Sequence, residues 1–600
     1  MSRPDPHSYF DDEHPRVGHL ELELDLDFDV RRVAGRVALL LEEPSPEVSA
    51  NRARPVIDLD TEGLEIQAVR VDGSNASAVM GHAEPVLGQR LRVELPSGTT
   101  RIEIEYRTAA EPIGLQWMAP SQTAGGEQPF VFSQFQAIHA RSVVPLQDSP
   151  GARVTFEAAL TVPEPLVAVM GAGPGAVEAA PRSGRQRFRF DMPQPIPPYL
   201  IAFAAGELVS RDLSDRSRIW AEPSTADAAA SEFAEVEAMM AAAETMFGAY
   251  DWDRYDLLVL PPSFPYGGME NPRLTFLTPT VIAGDRSLTD VIAHELAHSW
   301  TGNLITNANA DHFWLNEGAT TWAERRIVEA LRGEEAVTLA WAIGEQGLAE
   351  AFERFGADSA ATRLRTDLGG GDPDAVYSIV PYEKGARFLA LLERTVGRGR
   401  FDAFIRRYIE RYRFASITTE EFVAFLDTEL PGLGAEVGIG EWLYEPGMPS
   451  NAPRFESERL ETLIDLGAGF RAGRRPEADE VQGWSAAELL VYLQQVPRPL
   501  SVKECEWLDG EFALTGRGNY EILVEWLTIA AGSDYEPAFE RLRAVLVEVG
   551  RMKYVRPLFL AMGGQPRTRG LAREIYELAA PGYHELTRRT AEEVMEGYPA

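Results

Sequence analysis

Residues 287–302, SLTDVIAHELAHSWTG, and residues 311–325, DHFWLNEGATTWAER, decide how the middle of this chain folds. Both segments carry apolar residues at the spacing of amphipathic helices, and we predict helices over about 288–301 and 313–332. Ser287, followed three residues later by an aspartate, predicts a capping box at the start of the first helix. The two helices follow each other closely enough to bring their polar side chains together.

The first segment contains a His-Glu-x-x-His motif made by His294, Glu295 and His298. A spacing of four places both imidazoles on one helix face, although the motif alone also describes two core histidines near a glutamate. The second segment adds Glu317, with eighteen residues between it and His298. Two histidines and one glutamate leave a fourth coordination position open, as in catalytic zinc sites. We therefore predict one Zn²⁺ per chain, held by His294, His298 and Glu317, with Glu295 as general base.

Two further polar residues lie near this motif. Glu324 follows Glu317 by two turns on the same face and could accept a hydrogen bond from a ligand imidazole. The alternative is a surface glutamate beside Arg325. His312 lies off the ligand face, so we expect it to support the structure or a ligand rather than to bind the metal.

Composition limits the classes of partner. The chain has 57 Lys and Arg against 92 Asp and Glu, a net charge of −35, which argues against nucleic acid or an anionic membrane surface. No segment approaches the ~20 apolar residues of a membrane span, and the start of the sequence does not resemble a secretion signal. The single cysteine, Cys505, excludes an intrachain disulfide and fits a reducing compartment. We predict a cytoplasmic monomer with no membrane insertion and no nucleic-acid partner.

The pattern along the chain predicts a multidomain α+β protein. Apolar and acidic residues alternate over 19–30, which is typical of a half-buried strand, and similar runs make 1–207 a largely antiparallel β domain. Residues 208–449 mix strands and helices around the predicted metal site. A proline-rich linker over 450–458 leads to successive short amphipathic helices over 459–600, which predict helix pairs stacked as a superhelix.

The His-Glu-x-x-His motif with a glutamate after eighteen residues resembles the signature of the gluzincin aminopeptidases, peptidase family M1. The run GGMENP at 267–272 is similar to the exopeptidase motif of that family. Resemblance to the leukotriene A4 hydrolase and aminopeptidase B branch extends over essentially the whole chain, and is seen in FSQFQAIHARSVVPLQDSP, DPDAVYSIVPYEKG and GRMKYVRPLF. The resemblance implies a saddle-like β domain, a thermolysin-like catalytic domain and a helical domain of ARM/HEAT-like superhelical form.

The same resemblance implies roles for individual residues. Tyr382 matches a tyrosine that donates to the developing oxyanion, and Tyr377 is a candidate to line the same site. The amine of a free peptide N-terminus would bind to Glu270, with Gln136 as its neutral partner. The remaining implied substrate-binding residues are Gly267, Gly268 and Met269 of the exopeptidase motif, Asp374 as an acceptor for a basic side chain, and Arg551 and Lys553 as cations for a substrate carboxylate.

One position departs from the branch. Where its lipid hydrolase has a tryptophan before Asp-His-Phe-Trp, this chain has Ala310, while Phe313 is kept. We expect a reshaped pocket and an aminopeptidase acting on short peptides with a free N-terminus. The alternatives are a bifunctional enzyme that also hydrolyses a lipid epoxide, and a non-catalytic binding protein. The presence of Glu295, Tyr382 and Glu270 disfavours the latter, and the amine anchor disfavours an endopeptidase.

Overall fold

The computed structural model describes residues 5–11, 14–42, 56–481 and 483–599, whose elements form three consecutive groups. The first group is built from strands that pair in three sheets. These strands are β1 (Val17–Asp27), β2 (Arg32–Leu41), β3 (Val56–Thr61), β4 (Glu65–Val71), β5 (Ser74–Asn75), β6 (Ala78–Glu84), β7 (Gly88–Glu94), β8 (Arg101–Arg107), β9 (Leu115–Met118), β10 (Phe130–Ser133), β11 (Val154–Pro163), β12 (Val167–Met170), β13 (Gly173–Ala179), β14 (Arg185–Ile196) and β15 (Phe203–Gly206).

The largest sheet runs in the order β13-β14-β11-β1-β2-β8-β4-β5, with β1 antiparallel to β2 and parallel to β11. The predicted alternation buries Leu20, Leu22, Leu24 and Leu26 on one face. The prediction that the strand continues to Val30 is wrong, because β1 ends at Asp27 and the chain turns, which leaves the Val30 side chain 54% exposed. The other sheets of this group run β12-β15-β10-β9 and β3-β7-β6.

The second group combines a mixed sheet, β16-β17-β18-β20-β19, with helices. Its strands are β16 (Val209–Asp212), β17 (Arg218–Ala221), β18 (Asp256–Val259), β19 (Gly268–Met269), β20 (Leu274–Leu277), β21 (Ile305–Asn307) and β22 (Ala415–Ile417). Its helices are α1 (Ala226–Glu232), α2 (Val236–Phe247), α3 (Asp290–Ala297), α4 (Trp314–Arg332), α5 (Glu334–Phe355), α6 (Ile379–Val396), α7 (Arg398–Tyr412), α8 (Thr419–Glu429), α9 (Leu433–Val437) and α10 (Ile439–Tyr444).

Helix α3 carries His294 and is shorter than predicted, since it ends at Ala297 with His298 as its C-cap residue, whereas α4 matches its prediction within one residue. The predicted capping box of α3 is wrong: its N-cap is Thr289, and the Ser287 hydroxyl bonds to Asp285 instead. Arg332, at the end of α4, donates 2.7 Å to Asp290 Oδ1 and so holds the first turn of α3 against α4. Tertiary contacts therefore replace the local cap.

Helices α4 and α6 cross in close contact. A Cβ added to Gly318 would lie 2.8 Å from the Gly385 Cα, closer than real Cβ contacts allow, so the crossing requires glycine. Gly318 follows Glu317 and Gly385 lies three residues after Tyr382, so this crossing brings the predicted oxyanion donor to the predicted metal ligand.

The third group consists of helices with their own hydrophobic core, whereas the first two groups share one core. The helices are α11 (Glu458–Ala468), α12 (Ala478–Val481), α13 (Ala486–Gln495), α14 (Val502–Phe512), α15 (Tyr520–Gly532), α16 (Phe539–Glu548), α17 (Met552–Met562), α18 (Pro566–Ala579) and α19 (Glu585–Glu596). From α11 through α13, α15 and α17 to α19, each packs against the next, as expected for stacked helix pairs. No helix in the described part of the chain is both long and apolar enough to span a membrane.

Candidate metal centre and active site

Three side-chain atoms from α3 and α4 converge on one point. His294 Nε2 and His298 Nε2 are 3.2 Å apart, and Glu317 Oε2 lies 3.3 Å from the first and 3.6 Å from the second. Atoms that bind a tetrahedral Zn²⁺ at ~2.0–2.1 Å would lie roughly 3.3–3.4 Å from one another. The three predicted ligands thus have the separations that a shared tetrahedral ion requires.

The hydrogen bonds behind the two imidazoles show that this convergence fits a cation. His298 Nδ1 lies 3.2 Å from the Thr301 carbonyl oxygen, which can only accept, and His294 Nδ1 lies 3.0 Å from Glu324 Oε2. Each Nδ1 is therefore a donor, so a neutral ring at either position would turn the lone pair of its Nε2 toward the Glu317 carboxylate. Three lone pairs facing one another repel unless a cation lies between them. The side chain of Glu324 is only 18% exposed, which excludes the alternative of a surface glutamate.

The electrostatics agree with a positive charge at this point. Burial lowers the pKa of His298 to about 4, so its ring is neutral near pH 7. Burial also opposes charge on His294, but its contacts to Glu317 and Glu324 outweigh burial and raise its pKa. These carboxylates stabilise a proton here in the absence of any other cation.

Glu295 lies beside the three ligands and is 6% exposed. Its Oε2 is buried and forms no hydrogen bond within the described part of the chain. Burial raises the pKa of this carboxyl, and a cation held by the three ligands would favour its ionised form. Gly268 passes so close that an added Cβ would overlap the Glu295 carboxylate, so glycine at this position leaves space for the predicted general base.

The proposed amine anchor lies next to the same point. Glu270 is 3% exposed, and its Oε1 accepts from Gln136 Nε2 at 3.1 Å and from Asn316 Nδ2 at 3.4 Å. The potential metal-binding atoms of Glu270, Glu295 and His298 also lie within 4.8 Å of one another. Burial raises the pKa of Glu270, so an ammonium group bound here would be its natural counter-ion.

Two tyrosines, Tyr377 just before α6 and Tyr382 within it, border the candidate metal site. The Tyr382 ring stacks on His294 at 6.0 Å between centroids, and Phe313 packs edge-on against Tyr377 at 5.2 Å. Burial raises the pKa of the Tyr382 phenol well above its usual value, so this group stays a hydrogen-bond donor. The Tyr377 hydroxyl is buried and forms no hydrogen bond within the described residues.

The two predicted carboxylate-binding cations, from the start of α17, differ from each other. Arg551 is 6% exposed and passes beside Gly267, where an added Cβ would lie 2.6 Å from its Nη2. The Lys553 side chain is 59% exposed, and its Nζ donates 2.8 Å to Glu521 Oε1, which also lies 3.7 Å from Arg551 Nη1. Burial alone would raise the pKa of Glu521, but both cations outweigh it and lower the pKa. The side chains of Arg551, Lys553 and Glu521 together carry one net positive charge.

The remaining predicted residues have identifiable partners. Met269 is buried, and its Sδ accepts from Gln134 at 3.2 Å. Asp374 Oδ2 lies 3.3 Å from His139 Nε2, so this carboxylate already has a partner in the protein. His312 is buried and bonds to Thr419 Oγ1 at 3.0 Å, away from the metal ligands.

Sequence reasoning missed four residues that hold these groups in place: Asn316, Thr301, His139 and Glu521. Asn316, which directly precedes Glu317, and Thr301, three residues after His298, lie in the two quoted segments, so their positions carried a usable signal. His139 and Glu521 come from a loop and a helix whose approach depends on the tertiary fold.

Comparison with known proteins shows which family the chain resembles. The peptidase family M1 domain matches residues 232–438, the peptidase M1 N-terminal domain matches 16–200, and the leukotriene A4 hydrolase C-terminal domain matches 484–595. A leukotriene A-4 hydrolase of Xenopus laevis is 38% identical over 92% of this chain and 93% of its own length. The chain belongs to peptidase family M1. The predicted family, enzyme class and zinc aminopeptidase function are confirmed at this level.

Other M1 relatives support the same conclusion. A leucine aminopeptidase 2 of Ajellomyces capsulatus is 37% identical over 96% of this chain and 94% of its own length. A structure of yeast LTA4 hydrolase in complex with bestatin superimposes with a TM-score of 0.90 and 31% identity, covering 99% of this chain and 97% of that one. An M1 zinc metallopeptidase from Deinococcus radiodurans, at 21% identity and a TM-score of 0.59 over 76% of this chain and all of that one, supports the fold. The three-part fold class predicted from the sequence is confirmed, and membership of this family implies zinc.

Proposed function

We propose that this M1 enzyme removes N-terminal residues from short peptides, with one Zn²⁺ per chain held by His294, His298 and Glu317. The observation that carries the proposal is the convergence of three lone-pair donors beside a buried carboxylate, Glu270, which lacks a cationic partner among its hydrogen bonds. The first feature fits a metal, and the second fits the ammonium group of a peptide N-terminus.

Zinc, Glu295 and Tyr382 have different roles in the proposed reaction. Zinc, when bound, polarises a carbonyl and acidifies water. Glu295 takes the proton of the attacking water on its free Oε2 and passes it to the leaving amine. The protonated Tyr382 phenol donates a hydrogen bond to the oxyanion that develops on the scissile carbonyl.

Recognition of the N-terminus restricts the reaction to exopeptidase cleavage. The substrate ammonium would donate to Glu270 and to the Gln136 amide oxygen, while the loop of Gly267, Gly268 and Met269 runs beside the substrate backbone. An internal peptide segment would leave the buried Glu270 carboxylate without a counter-ion, which costs about 1–3 kcal/mol or more. We therefore propose an aminopeptidase rather than an endopeptidase.

The far end of a short peptide would meet the cations of α17. The buried Nε of Arg551 forms no hydrogen bond within the described residues and is the donor that we assign to the substrate carboxylate. Lys553 would contribute at longer range, since Glu521 already binds it. Tyr377 and Asp374 would line the pocket for substrate side chains.

A second candidate activity is hydrolysis of a lipid epoxide. It is favoured by the cavity beside Phe313 and Tyr377 and by similarity to leukotriene A4 hydrolases, while Ala310 in the cavity wall counts against it. Incubation with an allylic fatty-acid epoxide, followed by analysis for a diol, tests this candidate. A diol formed no faster than in a Glu295→Gln control or in buffer would eliminate it.

We also propose domain limits of 1–207, 208–449 and 459–600 with a linker over 450–458. The interval between the end of α10 at Tyr444 and the start of α11 at Glu458 supports the linker. A cytoplasmic monomer is proposed on the basis of the single, buried cysteine and the acidic composition. Size-exclusion chromatography with light scattering would test the monomer.

The function is tested with fluorogenic aminoacyl-coumarins and tripeptides, each with a free or an acetylated N-terminus. We expect turnover of the free forms only, loss of turnover with a chelator, and recovery on adding zinc. Cleavage of acetylated peptides, or of none of the substrates by zinc-loaded enzyme, would contradict the proposal.

A further inference from the structure

A wide cleft of ≈860 Å³ is lined mainly by residues of the first and third groups. Its wall includes Gln136, which bonds to Glu270, and Tyr266, which directly precedes Gly267. The cleft therefore reaches the proposed substrate site. Its volume lies within the range of pockets that enclose a small ligand, so it has space for a further part of a peptide.

One wall of the cleft is joined to the proposed carboxylate end of the site. Arg588 and Arg589 line the cleft from helix α19. Thr587, on the same helix, donates 2.7 Å to the carbonyl oxygen of Gly550, the residue directly before Arg551. Peptide residues beyond the third, each of which adds at most ~3.3–3.6 Å, would pass from Arg551 toward this helix.

Most charged residues that line the cleft belong to ion pairs. These pairs are Arg31–Glu111, Arg588–Glu585 and His139–Asp374. His584 is neutral near pH 7, because burial lowers its pKa to about 4. Arg589 differs from the others, since it is exposed and forms no hydrogen bond or ion pair with any residue that the structure describes. The cleft thus carries one unpaired positive charge in a chain whose net charge is −35.

The charge of Arg589 extends to the part of the cleft that borders the substrate loop. Burial raises the pKa of the Tyr266 phenol, Asp374 adds to this rise, and the positive charge of Arg589 opposes it. Arg589 therefore lies between the solvent and the loop that begins at Gly267, where it can attract an anionic group on a bound peptide.

Apolar side chains accompany this charge. Ile113, Val547 and Leu578 line the cleft and are 49%, 41% and 57% exposed. A peptide chain in the cleft would cover these side chains with its own, and burial of apolar surface stabilises such contact. An apolar cleft with one unpaired cation fits an extended peptide that carries a carboxylate.

We propose that Arg589 is a specificity-determining residue for peptides of more than three residues, and that it binds a carboxylate on the part of the peptide that follows the third residue. This carboxylate is either the C-terminal group or an acidic side chain. The inference rests on the proposed function, because it takes the N-terminal amine to be bound at Glu270. The carboxylate of a tripeptide is bound at Arg551 and does not extend to Arg589.

The test compares kcat/KM for release of the first alanine from four peptides in the full-length enzyme and in Arg589→Gln and Arg589→Lys variants. The peptides are trialanine, pentaalanine, pentaalanine amide, and the same amide with glutamate as its fifth residue. We expect Arg589→Gln to lower kcat/KM about three- to fivefold for a pentapeptide with a carboxylate, as for an exposed ion pair, and Arg589→Lys to restore most of it. Trialanine and the neutral amide should change less than about 1.5-fold, because neither places a carboxylate at Arg589.

The two carboxylate peptides distinguish the source of the bound group. A decrease with pentaalanine assigns the C-terminal carboxylate, and a decrease with the glutamate amide assigns an acidic side chain. Arg543→Gln is the matched control: Arg543 belongs to the third group and pairs with Glu574 outside the cleft, so its change removes a positive charge and leaves the cleft unaltered.

Three results would overturn the inference: unchanged kcat/KM for both carboxylate pentapeptides in Arg589→Gln, an equal decrease for the neutral amide, or the same decrease in Arg543→Gln. Cleavage of trialanine but of no pentapeptide by the unaltered enzyme would also overturn it and leave the proposed function in place. Cleavage of neither trialanine nor alanyl-coumarin would contradict the proposed function, and the inference with it.

Discussion

The two ends of the proposed substrate site are built differently. The metal end comes from two neighbouring helices, α3 and α4, and its ligands are held by partners such as Glu324 and Thr301. The carboxylate end comes from α17 in the third group, where Arg551 is buried but Lys553 is 59% exposed, and both lie near Glu521. The metal end is thus fixed in all its parts, whereas the carboxylate end is fixed only at Arg551.

This difference implies that substitutions at the metal end should affect catalysis strongly and independently of salt. Substitutions at the carboxylate end should affect KM, and their effect should fall from the buried to the exposed cation. The next four predictions run from the largest expected effect to the smallest.

Glu270→Gln should lower kcat/KM about 100-fold for substrates with a free N-terminus. The change removes the charge that faces the substrate ammonium and keeps the shape, and hydrogen bonds to charged groups contribute about 1.5–3 kcal/mol. Steady-state kinetics with alanyl-coumarin measure it, with zinc content as the control. A loss below threefold would mean that the amine binds elsewhere.

Glu324→Gln should weaken zinc binding about 10- to 100-fold, because Glu324 accepts the hydrogen bond of His294 Nδ1. Titration of the metal-free variant with zinc against a competing chelator measures the change. Glu329→Gln on the same helix is the control, since its partner is Arg398. Equal affinity in both variants would show that the Glu324 contact does not support the ligand.

Arg551→Ala should raise KM for a tripeptide about tenfold and leave that for an aminoacyl-coumarin, which has no carboxylate, within about twofold. The physical reason is the loss of a buried charge-assisted hydrogen bond to the substrate carboxylate. An equal rise for both substrates would instead indicate a general structural defect.

Lys553→Ala should have the smallest effect, a two- to threefold rise in the tripeptide KM that disappears at high salt. An exposed charge already paired with Glu521 is screened by solvent and contributes little. Measurements of the tripeptide KM at two ionic strengths distinguish the salt-sensitive carboxylate end from the metal end, where effects should not depend on salt. An effect as large as that of Arg551→Ala would remove the distinction between the buried and the exposed cation.

The sequence predicts those parts of the fold in which residue types recur at a regular spacing along the chain. The alternation of β1 and the four-residue spacing of His294 and His298 place side chains on one face without knowledge of the rest of the chain. The length of α4 follows for the same reason. The resemblance to family M1 adds roles that no spacing could provide, such as that of Tyr382.

The parts that could not be predicted depend on distant partners. The start of α3 depends on Arg332, forty-two residues away from Asp290, rather than on Ser287. Glu521 lies in α15, and nothing in its sequence context indicates that it faces Arg551. The contact of His139 with Asp374 likewise joins two residues that are far apart in the sequence.

The most direct test of the metal end measures zinc content and alanyl-coumarin turnover together in the unaltered enzyme, Glu295→Gln and Glu317→Gln. We predict one zinc per chain and full activity in the first. In Glu295→Gln we predict one zinc per chain and a kcat about 10²–10⁴-fold lower. In Glu317→Gln we predict loss of both zinc and activity. Full activity in Glu295→Gln, or undiminished zinc in Glu317→Gln, would contradict the account.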